Sequence, residues 1–340
     1  MLLTMLLALG IGAIVILAIG ENPLTAYAAL LKGAFSGKLR LGTTLAGFTP
    51  LLLTSVAFAV AARAGAFNVG VEGEVFLGGI TAAYIGIYWT FLPRPLLFIA
   101  CFLGAMAVAG FWAMIPAVLK VYYNVSEVCT TILMNTVALY ITSYLVSGPM
   151  SAGTATPQSL PVNVSLYQFM KPSNANVGIL IAAATVILVI AVLYKTDWGY
   201  QIRSVGLNPS HADYVGISSG EVFIGSMVLS GMLGGIAGCI EVLGVHGYFL
   251  DNFAAGLGSN GMLAALIVRS NVVLTPFMAF FLAVLKSGAM GMQQTTGVPK
   301  ALVDTITAIF IIIATMETAF RYTKKLRPKS EKKLKKEVQT

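Results

Sequence analysis

The chain has 340 residues, 57% of them hydrophobic and only 10% charged, with a mean hydropathy of +0.86. Soluble globular domains carry about a quarter charged residues, so this composition excludes an ordinary soluble domain and is typical of a polytopic membrane protein. The net charge of +8 does not indicate nucleic-acid binding, because residues 321–340 alone contain nine basic residues against two acids.

Ten apolar stretches predict an all-α fold of about ten membrane helices, since one spanning helix needs about 20 apolar residues. They lie near residues 2–19, 41–62, 75–92, 96–119, 128–147, 176–194, 221–241, 257–268, 271–291 and 300–319. The first has no basic start and no small-residue cleavage site, which favours a retained helix over a signal peptide. The eighth is too short to span alone, and the glycines before it predict a broken or re-entrant helix.

The distribution of basic residues predicts the topology. An even number of crossings places both termini on one side, and the basic tail of residues 321–340 assigns that side to the cytoplasm. The predicted membrane domain is then residues 1–320. This topology places Arg63, Lys120, Lys195, Arg203 and Arg269 inside, and Lys32, Lys38, Arg40, Arg94, Lys171 and Lys300 outside.

A polar break at residues 67–74, with the sequence FNVGVEGE, separates the second and third apolar stretches. Ionisable groups in a membrane segment cost about 3 kcal/mol each, so they usually face a cavity, a partner or the interior of the bundle. Irregular backbone is tolerated there only where protein or water satisfies it. We therefore expect the polar residues of the break to have a structural or functional role.

Two loops are long enough to carry a function. Residues 148–175 are rich in Pro, Ser, Thr and Asn and lie outside on the predicted topology, either as a solvated connector or where a partner or substrate arrives. Residues 195–220 form a polar cytoplasmic loop. Within it, Asn208 followed by Pro209 predicts the start of a short helix, because asparagine caps helices and proline suits their first turn.

Four segments together resemble one family, the integral-membrane subunits of ABC importers for branched-chain amino acids, ribose and nucleosides. Residues 196–217 resemble its cytoplasmic coupling loop, residues 124–135 its N-E-V-x-x-T-x-x-L-N stretch, and residues 230–244 its glycine-rich seventh helix. Residues 67–74 resemble the nucleoside-type pattern, approximately F-N-I-G-x-E-G-Q. Glu74 departs from it, because the family usually has glutamine there.

The resemblance implies a permease subunit in the bacterial plasma membrane, with two weakly similar halves. The chain has no G-x-x-x-x-G-K-[ST] loop, so ATP and Mg²⁺ are expected on separate ATPase subunits and no cofactor on this chain. The other implied partners are a second permease, identical or similar, and an extracytoplasmic substrate-binding lipoprotein. The implied activity is nucleoside import by alternating access, with ribose or a branched-chain amino acid as alternative cargo.

Candidate functional residues fall into two sets. Amides and carboxylates supply the donors and acceptors that a neutral ligand such as a nucleoside needs. We place them around a central cavity: Asn68, Glu72, Glu74, Asn135, Gln293 and Gln294. Glu72 alternatively caps a helix or pairs with Arg63. The second set belongs to the coupling loop: Arg203, Gly206, Asn208, Pro209, Ala212, Asp213, Tyr214 and Gly216.

In the coupling loop, Ala212 and Gly216 are predicted to allow close approach of the ATPase, while Arg203 and Asp213 pair with it.

Other classes of protein find less support. The two histidines, His211 and His246, stand far apart without an H-E-x-x-H frame, which disfavours an intramembrane metalloprotease. Three cysteines in predicted helices show no paired spacing, so we expect buried thiols rather than a disulfide or zinc site. A channel or secondary carrier stays an alternative.

Overall fold

The computed structural model describes residues 2–18, 20–296, 301, 304, 305 and 308. This part of the chain is helical. Its helices are α1 Leu2–Ala18, α2 Pro23–Phe35, α3 Gly37–Arg63, α4 Val71–Tyr88, α5 Arg94–Tyr123, α6 Glu127–Ser147, α7 Gly178–Lys195, α8 Asp197–Leu207, α9 Pro209–Tyr214, α10 Ser219–Ile240, α11 Leu257–Ile267 and α12 Thr275–Thr296. A π-helical segment, Glu241–His246, extends α10. Most of the predicted segment 300–319 and the whole tail lie outside the described residues.

Six helices in the described ranges are long and apolar enough to cross a membrane: α3, α5, α6, α7, α10 with its π-helical extension, and α12. The predicted count of about ten is therefore not confirmed. The third stretch corresponds to α4, which has 18 residues and carries the carboxylates Glu72 and Glu74 in its first turn. The eighth became α11, which has 11 residues, as its shortness indicated. The repeat of two similar halves stays a prediction.

Helix α2 has no counterpart among the predicted stretches. It starts at Pro23 behind Asn22, whose side-chain oxygen accepts a hydrogen bond from the Leu24 amide at 2.9 Å. Its 13 residues carry Lys32 and are fewer than a span needs, so a search for long apolar runs passes over it. Helices α1 and α2 together form a bent pair rather than one straight span.

The basic residues separate to the two ends of the bundle as the topology predicted. Helix α3 carries Lys38 and Arg40 at its start and Arg63 at its last residue. Helix α5 runs from Arg94 to a last turn with Lys120. We call these two ends of the molecule the Lys38 end and the Arg63 end. In both helices, the residues predicted outside lie at one end and the residue predicted inside lies at the other.

Helix α10 is the centre of the main core, which also contains α4, α5 and the second half of α3. It packs through glycines. A Cβ on Gly235 would overlap the Ala105 carbonyl of α5, and one on Gly238 would overlap the Val75 carbonyl of α4. Gly78 of α4 faces Gly235 directly. Small residues let backbones approach this closely in lipid, where dispersion rather than the hydrophobic effect holds helices together.

A second, smaller core joins α1, α2, α11 and α12 to α3. Here Gly33 of α2 meets Gly288 and Gly291 of α12 backbone to backbone. The spans at the edge are packed on one side only. Cys129 on α6 is accordingly exposed, whereas Cys101 and Cys239 are buried, so the expectation of three buried thiols is wrong for Cys129.

Gly238→Ala is expected to lower the free energy of unfolding by about 1–3 kcal/mol, because the added methyl overlaps a backbone carbonyl that cannot rotate away. Thermal unfolding of the detergent-purified protein measures it. Gly47→Ala in α3 is the matched control, since no heavy atom lies within 4 Å of a Cβ there. Equal midpoints for the two variants would contradict the close packing of α10.

Candidate functional site

The polar break is the connection between α3 and α4. Helix α3 ends at Arg63, Gly65 turns the chain with a φ of +81°, and α4 begins at Val71. Glu72 and Glu74 thus lie in the first turn of α4. A carboxylate is favoured there, because the unpaired amides at a helix start carry partial positive charge.

Asn68 is fully buried and holds the break together. Its amide nitrogen donates to Glu74 Oε1 at 2.8 Å and to Ser230 Oγ of α10 at 2.9 Å. Its oxygen accepts from the Gly70 amide at 2.9 Å. Both donors and the acceptor of this side chain are therefore used within the protein. We call Asn68, Glu74 and Ser230 the polar knot.

Glu74 is 1% exposed, and one of its two carboxylate oxygens, Oε2, has no hydrogen-bond partner among the described residues. Its Cβ lies against Gly234 of α10, where a methyl group would come within 2.8 Å of it. The glycine leaves room for the Glu74 side chain between the two helices. The knot consequently joins α4 to the central helix at the point where the backbone of α3 is interrupted.

Asn135 fastens α6 to the same break. Its nitrogen donates to the Val69 carbonyl at 2.9 Å, and its oxygen accepts from the Gly73 amide at 2.8 Å. These backbone groups lie just before and within the first turn of α4, where a helix leaves amides without partners. The structure thus brings Asn135 beside the break, as the sequence analysis grouped it, with its amide bonded to the backbone.

Glu72 lies on another side of α4 and is only half-buried. Ser259 near the start of α11 donates to Glu72 Oε2 at 3.4 Å, and Gly258 packs against the Glu72 backbone. Arg63, the alternative partner considered for Glu72, instead donates its Nε to the Ser270 carbonyl at 2.8 Å. Short helix α11 therefore closes the second side of the break.

Gln293 and Gln294 are exposed near the end of α12. That helix belongs to the second core and packs on α2 and α3. In the described part of the chain, no hydrogen bond joins either glutamine to the polar knot. Their predicted place around a common cavity stays a prediction.

The loop of residues 148–175 is fixed to the outer parts of α4 and α10. Its backbone amides of Ser159, Val162 and Leu166 donate to the carbonyls of Phe249, Gly247 and Leu243 at 2.8–2.9 Å. The Asn163 side chain donates to the last carbonyls of α4, on Gly86 and Ile87. The loop is thus held against the ends of α4 and α10, while more than half of its residues are exposed, and its role as a connector or an arrival site for a partner or substrate stays a prediction.

The cytoplasmic loop of the sequence analysis contains two helices, α8 and α9, where one was expected. Asn208 Oδ1 accepts from the His211 amide at 3.1 Å and Pro209 occupies the first helical position, so the predicted helix start is confirmed. Helix α8 was missed, although Thr196 caps it through the Gly199 amide at 3.1 Å. The Thr-Asp pair before an amphipathic run was the signal for it.

Three polar members of the coupling set, Asn208, Asp213 and Arg203, make contacts within the chain. Asp213 accepts from the amide and the hydroxyl of Ser219, each at 2.9 Å. The Arg203 guanidinium lies 5.3 Å from the centre of the Tyr194 ring. Ala212 is buried, and a Cβ on Gly206 would overlap the Arg63 carbonyl. The close approaches at these positions are contacts between α8–α9 and the rest of the bundle.

An apolar patch remains exposed on α8 and α9. Leu207 and Tyr214 are each 89% exposed and Val215 is 56% exposed, beside the exposed Gly216. We call Leu207, Tyr214 and Val215 the coupling patch. A cavity of about 380 Å³ lies between the break, α5, α8–α9 and the start of α10, and one of its lining residues, Lys120, pairs with Glu127 at 3.3 Å.

Sequence comparison places the chain among known transport proteins. Residues 40–315 match the family described as branched-chain amino acid transport system / permease component. The chain belongs to this family. It is a transport subunit and not an enzyme.

Three relatives cover nearly all of the permease. The guanosine ABC transporter permease protein NupP of Bacillus subtilis is 32% identical over 94% of both chains. The nucleoside ABC transporter permease protein NupB of Lactococcus lactis is 31% identical over 88% of this permease and 86% of its own length. The glucose ABC transporter permease protein TsgB13 of Haloferax volcanii is 32% identical over 94% and 88%.

A donor–acceptor swap tests the polar knot of the permease. Asn68→Asp removes the donor to Glu74 and Ser230 and is expected to lower the free energy of unfolding by about 1–3 kcal/mol. Adding Glu74→Gln returns a donor to the pair and should recover part of that loss. Thermal unfolding in detergent measures both, with Asn174→Asp on the exposed loop as control. A double variant no more stable than Asn68→Asp would show that the hydrogen bond between residues 68 and 74 does not stabilise the protein.

Proposed function

We propose that this permease forms the membrane pathway of an ATP-driven nucleoside importer. It receives the substrate from an extracytoplasmic binding lipoprotein and releases it into the cytoplasm by alternating access. The observation that carries the choice of cargo is the similarity, over nearly the full length, to permeases named for guanosine and nucleosides. The similar identity to a glucose permease keeps sugars as the alternative cargo.

The Arg63 end faces the cytoplasm in this proposal. It gathers Arg63, Lys120 and the helices α8 and α9, and cytoplasmic loops of membrane proteins are enriched in basic residues. The coupling patch then lies where separate ATPase subunits, which bind ATP and Mg²⁺, dock. A similar or identical second permease completes the pathway in the membrane.

The contact between Gly206 and Arg63 supports a route for the motion. When the ATPases close, they displace α8 and α9, and α8 presses on the last carbonyl of α3. The break follows directly after that carbonyl, and beyond it the polar knot ties α4 to α10. Rigid helices that move about such an interruption are a common means of domain closure.

The two carboxylates of the break have different tasks in this scheme. Glu74 and Asn68 are buried, so they position the helices and do not meet the substrate. Glu72 is half-buried, and its carboxylate has one long hydrogen bond, from Ser259. Glu72 therefore remains free to accept hydrogen bonds from the hydroxyl or amino groups of a passing nucleoside.

Uptake of labelled guanosine, ribose and leucine tests the proposal in cells with and without this gene, each before and after energy depletion. We expect the gene to support energised guanosine uptake alone. Loss of only ribose or leucine uptake on deletion would replace the nucleoside as cargo. Guanosine uptake that survives energy depletion would favour a carrier or channel.

Tyr214→Ala is expected to reduce energised uptake at least fivefold, because it removes the one aromatic side chain of the coupling patch. The variant permease should still reach the membrane. Co-purification of the ATPase subunits should fall in parallel. Tyr122→Ala is the control, since Tyr122 is 72% exposed on α5, outside α8 and α9. Full ATPase recovery with Tyr214→Ala would remove the patch as the docking site.

A further inference from the structure

A cavity of about 410 Å³ opens at the Lys38 end, between the last turns of α4 and the end of α6. Helix α4 contributes one wall with Ile80, Thr81, Tyr84 and Tyr88. Pro149 and Met150, just beyond α6, form the opposite wall. The volume lies in the range of pockets that enclose small-molecule ligands, about 300–1,000 Å³.

The wall beyond α6 is held in place by burial and hydrogen bonds. Met150 is 4% exposed, and its amide donates to the Leu145 carbonyl at 2.8 Å. On the α4 wall, the Thr81 hydroxyl donates to the Leu77 carbonyl at 2.7 Å. Its hydrogen is therefore used inside the helix. Hydrogen bonds to the backbone thus hold residues of both walls.

Tyr84 and Tyr88 are the main side chains of the cavity. They are one helical turn apart on the same face, with ring centres 5.0 Å apart and planes tilted by 48°. They are 49% and 43% exposed, and within the described ranges neither hydroxyl makes a hydrogen bond. Flat apolar faces with free phenol hydroxyls at their edges suit a flat aromatic ligand that carries its own polar groups.

The position of the cavity connects it with the break. Helix α4 runs from Glu72 and Glu74 in its first turn to Tyr88 at its last residue. A substrate at the tyrosines lies at the outer end of the helix whose inner end the polar knot holds. The tyrosines share the α6 side of the helix with Gly73, which Asn135 holds at the break, whereas Glu72 meets α11 on another side.

We propose that Tyr84 and Tyr88 form an entry subsite that stacks the base of the incoming nucleoside. The inference rests on the proposed function and adds where the base is recognised. A lipid acyl chain would fill the same apolar walls, but it would make no use of two unpaired phenol hydroxyls. Stacking on an aromatic ring depends on the base, so free ribose should not compete for the subsite.

Photolabelling with 8-azidoguanosine locates the subsite directly. The assembled transporter, in membrane vesicles, is illuminated with the probe and the labelled peptides are mapped by mass spectrometry. We expect label on the segments that carry Tyr84, Tyr88 or Met150, suppressed by excess guanosine and not by ribose. Label confined to other segments, or equal suppression by ribose, would overturn the inference.

Kinetics of the variants provide the second test. Tyr84→Ala and Tyr88→Ala should each raise the guanosine concentration for half-maximal uptake roughly tenfold, the size expected for loss of one base–ring stack. The Phe variants, which keep the ring and lose only the hydroxyl, should raise it less, by about threefold, the size of one neutral hydrogen bond. Tyr140→Ala on α6, 70% exposed and not part of the cavity, is the control.

The outcomes separate this inference from the proposed function. If wild-type vesicles take up guanosine with ATP and both alanine variants match them, the subsite is refuted and the importer stands. If the alanine variants lose uptake while the label maps elsewhere, the tyrosines serve packing or lipid contact, and the subsite is again refuted. If wild-type vesicles show no ATP-driven guanosine uptake, the proposed function fails.

Discussion

The interruption between α3 and α4 must satisfy its backbone hydrogen bonds inside the protein, and the rest of the structure depends on that constraint. Lipid offers no partner for a free amide or carbonyl, so a chain can leave the helical conformation only where side chains replace the lost bonds. Asn68 and Asn135 do this for Gly70, Val69 and Gly73. These amides also fix which helices surround the break, since one asparagine reaches α10 and the other belongs to α6.

Close packing around α10 makes the knot geometrically possible. Glu74 fits beside α10 because residue 234 is a glycine, and Gly235 and Gly238 bring α5 and α4 to backbone contact on neighbouring faces. A larger side chain at any of these positions would push α4 outward and separate Asn68 from Ser230. The glycine-rich helix and the polar break, distant in sequence, are therefore one structural unit, as the proposed coupling of α3 to α4 and α10 requires.

Sequence patterns predicted the local features of the permease better than its membrane crossings. The Asn208–Pro209 helix start, the short eleventh helix and the break depend on neighbouring residues, and all three are present. The number of spans was not confirmed: six helices in the described ranges are long and apolar enough, and most of the tenth predicted stretch lies outside those ranges. Ser230 escaped notice for a different reason: its role depends on Asn68, 162 positions away.

Glu72 and Glu74 show why residue type alone does not assign a substrate site. Both are carboxylates in the same helical turn, yet Glu74 is enclosed by α10, while Glu72 stands at the edge of α11 with a long bond to Ser259. Glu74 Oε1 is bonded to Asn68, and its other oxygen, Oε2, is enclosed beside Gly234 of α10. In the proposed pathway, accessible groups are therefore the better candidates for distinguishing a nucleoside from a sugar. In the region built around α4, Glu72 and the two tyrosines at its far end meet that condition, and only the tyrosines offer a face for a base.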